Sequence, residues 1–417
     1  MKLRPDLLDD RSPANLQVIQ LTTEPDVPAS HLYMEAQIFT PDSQRFVLHR
    51  SAHAHGSDKT DPQHQYLLCD LAKACALTPL TTETGVTGGS VSPDGQFLYY
   101  FVDETEISGG RLTLKRVRLD GTEREALVVV DSALPGTAYR ASRLYPLSSI
   151  SSDGQRITIS CYLGDGRTAN APWGLLVFDL VSASAELIIE GPTWCNMHPQ
   201  YSRSTDPGQC HDILIQENHG NVTDAQGTVT LLVGGDGADI HVIRDDGTNF
   251  RNMPWGRDGN EHCQGHQCWR GRSAWAITST GTRQPSEAQL IEGRETPHAG
   301  HSGLNSPGRP GTPDAVRNDL SRDFANPRFY HFATDSAGAR LISDCGPLSE
   351  QASLWVAQLG EAGVDPLTGW RYLLSPRSTC VKGAHLHPFL SPEGTMGFFN
   401  SDESGLLQAY MVTGLDG

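Results

Sequence analysis

No run of about 18 consecutive apolar residues occurs in this chain of 417 residues, so no membrane-spanning helix is expected. The opening segment, MKLRPDLLDDRSPAN, lacks an apolar stretch followed by a small-residue cleavage site. It does not read as a secretory signal, and a cytoplasmic location is the expectation. Positive charge is in short supply: Lys and Arg total 32 against 49 Asp and Glu, a formal net charge of −17. A polyanion-binding protein shows the reverse balance, which argues against nucleic acid as a partner. An anionic substrate would have to be held by a local cationic pocket or a metal ion, against the global field. Helical periodicity is also missing. With 37% hydrophobic and 19% charged residues, the chain is neither membranous nor disordered. Its nine cysteines are scattered and odd in number, as suits a chain kept reduced. Cys263 and Cys268 flank a histidine-rich stretch, but their spacing matches no zinc ribbon.

What the chain does contain is a repeat. A turn of the Ser/Thr-Pro-Asp-Gly type, followed by an alternating apolar strand, occurs at 39–52, 91–103, 151–163, 202–217, 268–280, 333–344 and 390–402. Proline presets φ, aspartate bonds the backbone and glycine tolerates positive φ, so this is a tight turn for physical reasons. Alternation of period two marks a half-buried strand. A further strand ending in Asp-Leu or Asp-Gly follows most copies (QYLLCDL, LKRVRLDG, GLLVFDL, IHVIRDDG), and then a closing strand. Four strands per unit and seven units predict an all-β fold, a seven-bladed β-propeller of four-stranded antiparallel blades spanning 1–417 as one domain. A sandwich or open solenoid fits such even repeats less well. LQVIQLT, at 16–22, is a strand without a blade, expected to pair with QAYMVTG of the last blade and close the ring. Segment 291–326, rich in Gly, Pro and polar residues, reads as a long loop, either a lid over the axial pocket or an unstructured insertion.

Sixteen histidines are many for this composition, and several occupy one place in the repeat. His198, His266, His331, His385 and His387 stand just before the turn or its equivalent, in the strand nearest the propeller axis or the loop entering it. In AHLHPF, a His-X-His pair on a strand would put His385 and His387 on one face. With His266 from another blade they make a candidate transition-metal site. His262 reads as a loop residue, and His53 and His55 as a solvated pair in an exposed loop. Arg203, near His198 at the entry of its blade, is a natural partner for a carboxylate. His219, in QENHG, could serve as a general base near neutral pH.

Four segments, HPQYSRSTDP, IHVIRDDGTNFR, EHCQGHQCW and AHLHPFLSPEGTMGFFNSD, resemble in sequence and order those of the oligogalacturonate lyases, polysaccharide lyase family 22. The resemblance runs over nearly the whole chain. It implies a seven-bladed propeller that binds Mn²⁺ through three histidines and a glutamine and cleaves short galacturonides by β-elimination in the cytoplasm. It implies His266, His385 and His387 as metal ligands, a small anionic oligosaccharide as partner, and no nucleic acid or membrane. It makes His219 the nearest candidate base, with Arg203 and His198 as further catalytic residues and Lys382, His331 and Arg203 contacting substrate. The chain departs from the family where the glutamine ligand is expected: Lys382 stands there, and a protonated lysine cannot ligate. A lyase for another uronate linkage (rhamnose–glucuronate or ulvan-type) and a non-catalytic TolB-like propeller are the alternatives.

Overall fold

A computed structural model describes residues 1–56, 59–232, 237–253, 255, 261–282, 303–308, 318–321, 324, 328–346, 352–360 and 367–416. Among them, helix is confined to short 3-10 turns such as Pro5–Leu7, Leu71–Lys73 and Lys382–Ala384, and none could cross a membrane. All nine cysteines are buried and free of disulfides.

The strands form successive antiparallel sheets in chain order. Six sheets have four strands each: those of segments 30–79, 86–130, 142–191, 200–252, 261–319 and 329–374. The seventh has five, joining Phe389–Leu390, Gly397–Ser401 and Gln408–Thr413 to Gln17–Gln20 and Lys2–Leu3 from the other end of the chain. Seven sheets thus follow the seven repeats, and only the closing one departs from four strands, by the extra N-terminal strand. Gln17–Gln20 pairs with Gln408–Thr413, as expected for LQVIQLT (Gln17 opposite Thr413, Gln20 opposite Tyr410). The extra strand, Lys2–Leu3, is held by Arg4, which bonds Asp6, Gln20 and Glu403.

Each turn of the Ser/Thr-Pro-Asp-Gly type joins the innermost strand of a sheet to the second. In three of them the aspartate accepts a hydroxyl proton from the residue two before it: Thr40 to Asp42 (2.6 Å), Ser92 to Asp94 (2.5 Å) and Ser151 to Asp153 (2.6 Å). The same carboxylates accept the main-chain N–H of Gln44, Gln96 and Gln155. Gly95 closes its turn at φ +68°, and a Cβ there would come within 2.5 Å of Pro41 in the turn of the preceding sheet. Neighbouring turns are thus packed against each other, and a side chain has no room between them.

Second strands such as Arg45–Arg50 and Arg156–Tyr162 are buried on both faces, because sheets stack face to face around the axis. Fourth strands such as Ala76–Pro79 are half exposed. The core lies between sheets: Phe46 meets Phe398 at 5.1 Å across the ring closure, and Phe101 meets Phe178 at 5.1 Å further round.

Segment 291–326 is not simply one loop. Gly303–Gly308 and Asn318–Asp319 are the third and fourth strands of the fifth sheet. The strand Ala276–Thr282 would otherwise present an unpaired edge, and these residues satisfy it. Pro307 lacks an N–H, and the register slips there, between Ala276 and Thr278. Except for 320, 321 and 324, the rest of the segment lies outside the described residues, and with it the lid expectation. A hairpin of Val222–Thr223 and Val229–Leu231 is inserted in the fourth sheet.

His31 crosses the ring closure. Its main-chain N–H bonds Asn400 Oδ1 (2.8 Å) and its Nε2 donates to the Tyr410 carbonyl (2.9 Å), amid Phe46, Phe389 and Phe398. Burial holds the imidazole neutral, with its pKa down at about 3 from an ordinary 6.5. The unfolded chain therefore takes up a proton that the fold refuses. Stability is fully present above pH 6.5 and is lost as pH falls from 6.5 toward 3. We expect the thermal midpoint to drop across that window, at about 1 kcal/mol per pH unit for this group. The His31→Gln variant should show a shallower drop; calorimetry giving equal slopes would remove His31 from the account.

Candidate active site

The histidines cluster at the end of the inner strands opposite the Asp-Gly turns. His385 and His387 follow the turn Lys382–Ala384 and precede the strand Phe389–Leu390, so they are not on a strand as the alternation argument assumed. Their convergence comes instead from His387, whose φ is +42°. His198 is likewise left-handed, at φ +48°. Such backbone costs on the order of 1–3 kcal/mol in a non-glycine residue and collects at functional sites.

The rings form a continuous circuit. His198 lies 5.9 Å from His266, His266 lies 4.8 Å from His331, and His331 lies 5.1 Å from His385 and 4.5 Å from His387. His55 extends it, at 4.6 Å from His387 and 5.5 Å from His385, and Tyr33 joins His55 back to His198. Tyr33 sits inside, against His55, His198 and His387. The ligand nitrogens of His55, His385 and His387 all lie within 4.8 Å of one another. His385 and His387 of the expected trio are grouped here with His55, and His266 sits one ring further round.

His55 was read from sequence as solvated. Its loop is instead tied down: the Ala54 N–H bonds the Gly383 carbonyl (2.8 Å), and Ala54 packs with Ala384 and Leu407. Gly56 turns the chain at φ +61°, directly over the His49 ring, where any Cβ would clash.

Burial drives the pKa of His55 and His387 well below the ordinary value and that of His385 to about 3, so all three are neutral. Both ring nitrogens of His387, and Nε2 of His55, are buried without a hydrogen-bond partner among the described residues. Buried polar atoms are nearly always satisfied, and neutral imidazole lone pairs suit a transition-metal cation. These residues therefore fit a divalent metal.

Two carboxylates orient further imidazoles. Buried Asp344 accepts from both the His331 main-chain N–H (2.8 Å) and its Nδ1 (2.7 Å). That fixes the proton on Nδ1 and leaves Nε2 as an acceptor in the circuit. Glu35 faces Nδ1 of His198 at 3.2 Å, and Nε2 of His198 meets the Tyr145 hydroxyl at 3.1 Å. Burial pushes the Tyr145 phenol well up, so it keeps its proton, and it pushes the Glu35 carboxyl up against the pull of His198.

Other expected residues lie elsewhere. His219 Nε2 is 3.1 Å from Asp239, about a third exposed and outside the ring circuit. Arg203 is half-buried at the turn end of its blade entry; desolvation lowers its pKa, and Cys268, Glu35 and Asp335 oppose that. Lys382 is exposed on the rim, near enough to His53 and His385 to disfavour their charged forms. Sequence reasoning missed Tyr33, Glu35, His55, Tyr145 and Asp344. The repeat held a signal for two of them: Tyr33 and Glu35 precede the first turn just as His385 and His387 precede the last. A second grouping, Asp153, Cys210 and His211, is on the turn face, where both nitrogens of His211 already meet carboxylates (Asp153 at 3.2 Å, Asp245 at 2.7 Å).

Sheets wrapped radially around an axis, with the chain ends joined in one sheet, define a β-propeller, and this one carries its polar cluster on the axis. Among solved structures it is similar to an oligogalacturonate lyase in complex with manganese, with 18% identity, a TM-score of 0.65, and coverage of 95% of this chain and 93% of that one. It is equally similar to an oligogalacturonate lyase from Vibrio parahaemolyticus, with 16% identity, a TM-score of 0.66 and coverage of 97% and 95%. An acylaminoacyl peptidase from Pyrococcus horikoshii matches at 9% identity and a TM-score of 0.52, over 90% of this chain and 49% of that one. At these identities the likeness establishes the propeller fold, and the peptidase shows that the fold serves other chemistry. No protein-family model and no curated protein matches the sequence.

Proposed function

We propose that this chain is a metal-dependent lyase that cleaves short oligogalacturonides by β-elimination, giving an unsaturated uronate end. The observation that carries the reading is the circuit of imidazoles on the axis, with the neutral His55, His385 and His387 together, in a propeller shared in full length with two such lyases. The C5 proton of a uronate lies α to its carboxylate, and removing it adds negative charge to that group. His385 and His387, with a third imidazole, would hold a divalent cation, manganese by analogy with the neighbour's complex. Such a cation supplies Lewis-acid neutralisation of the carboxylate, worth several kcal/mol.

This chain's own residues supply the proton transfers. His331 Nε2, free to accept because Nδ1–H is held by Asp344, takes the C5 proton, and Asp344 stabilises the imidazolium that forms. Tyr145, held by His198 and keeping its proton, donates it to the departing C4 oxygen. His198 is thus a positioning residue with Glu35 behind it. His219, against Asp239 outside the circuit, is poorly placed for the expected role of base. Lys382 on the rim and Arg203 deeper in the blade entry offer positive charge to an anionic substrate in a strongly acidic chain.

The test is absorbance in the ultraviolet band of unsaturated uronates, with metal-loaded protein and a panel of galacturonide and glucuronate-containing oligosaccharides. A rise with galacturonides supports the reading, and no rise with them removes it. Lys382→Ala should raise KM for a galacturonide about 3–10-fold with kcat and bound metal unchanged, since an exposed charge contributes on the order of 1 kcal/mol. A fall in kcat with KM unchanged would place Lys382 at the reacting atoms instead.

A further inference from the structure

We propose that His55 is the third metal ligand of this chain, and that the cation it shares with His385 and His387 staples the ring at its seam. The inference rests on the metal binding proposed above and adds a ligand and a structural role.

The seam lies between the first sheet and the closing sheet. His55 belongs to the loop after Arg45–Arg50, near the start of the chain, and His385 and His387 enter the last sheet. Their nitrogens meet within 4.8 Å although some 330 residues separate them. His266, the alternative third ligand, has His198 and His331 as its ring neighbours and belongs to the fifth sheet, two sheets before the closing one.

His55 is positioned rather than adventitious. The Ala54–Gly383 hydrogen bond crosses the seam two residues from His385, and Tyr33 stacks on the His55 ring at 5.8 Å and 26°. The His55 main-chain N–H bonds His53 Nδ1 (3.2 Å) and Gly56 allows the turn beyond. All this holds an imidazole whose Nε2 is buried without a hydrogen-bond partner among the described residues, facing a His387 ring whose two nitrogens likewise have none among them. A cation satisfies these atoms together.

A cation bound only by the closed ring stabilises that state by mass action, and its ligands close a very long loop. The experiment uses the full chain, stripped of metal and reloaded separately with MnCl₂, CoCl₂ and ZnCl₂. Bound metal is measured after gel filtration, and the thermal midpoint is measured with and without it. The wild type should hold about one equivalent of at least one cation. At a hundredfold excess over Kd its midpoint should rise by about 3–5 °C. His55→Ala should weaken binding at least tenfold and lose the rise, His55→Gln should recover part of both, and His266→Ala should keep both. His55→Ala binding like wild type, or His266→Ala losing as much as His55→Ala, would overturn the assignment. If the wild type binds none of the three cations, both the staple and the metal-dependent lyase fall. If the variants behave as expected but no uronide is eliminated, the staple stands and the lyase reading alone falls.

Discussion

His387→Ala is expected to lower galacturonide elimination by about 10³-fold or more, with bound metal lost in parallel. His387 is fully buried, its ring touches Tyr33, His55 and His331, and neither of its nitrogens has a hydrogen-bond partner among the described residues. Loss of several kcal/mol of Lewis-acid stabilisation corresponds to that factor, at about 1.4 kcal/mol per tenfold. Alanine at φ +42° adds backbone strain, so the variant alone would confuse a lost ligand with a damaged fold. Asparagine tolerates the left-handed region better. His387→Asn should therefore lose activity and metal as fully as alanine while keeping a thermal midpoint near that of the metal-free wild type. Activity of His387→Asn within tenfold of wild type would sink the proposed role.

The second large effect is on folding. Deleting residues 1–21 removes both N-terminal strands of the closing sheet and the buried side chains of Leu7, Leu16, Val18 and Leu21. Each buried Leu or Val contributes about 1.5–3 kcal/mol, and a whole domain has only about 5–15 kcal/mol to lose. The deletion also bares the edge of Gln408–Thr413, a template for pairing with other chains. The truncated chain should aggregate or lose its cooperative unfolding transition. A soluble monomer melting within a few degrees of wild type would show that ring closure matters little.

The parts of this structure legible in sequence are those set by local chemistry. Every Asp-Gly turn sits where Thr40-Pro41-Asp42 and its counterparts placed it, because proline, aspartate and glycine constrain the few bonds around them. Gln17–Gln20 was legible because its alternation had no partner nearby in the chain. What stayed hidden depends on contacts between distant segments. Nothing within HAHG reports that Ala54 will bond Gly383 and pack on Leu407, so His55 looked solvated. His387 reaches its neighbours through a positive φ that period-two alternation cannot anticipate. Two strands of the fifth sheet lie in a Gly- and Pro-rich stretch, where demand from the edge of Ala276–Thr282 outweighs local propensity. His219 matched a motif by residue type, but its place at the end of Asp212–Asn218 puts it beside Asp239.

Each innermost strand has the Asp-Gly turn at one end and the axial imidazoles at the other. The instructions for building a blade and the groups that do its chemistry are therefore written on opposite faces of the molecule, with a buried strand between them. Substitutions on the histidine face leave the hairpins intact, and changes in the turns leave the imidazoles in place. Residues on the histidine face can therefore be exchanged without renegotiating how the chain folds. Such independence is one physical route by which sequence identity sinks below a fifth while the architecture persists end to end.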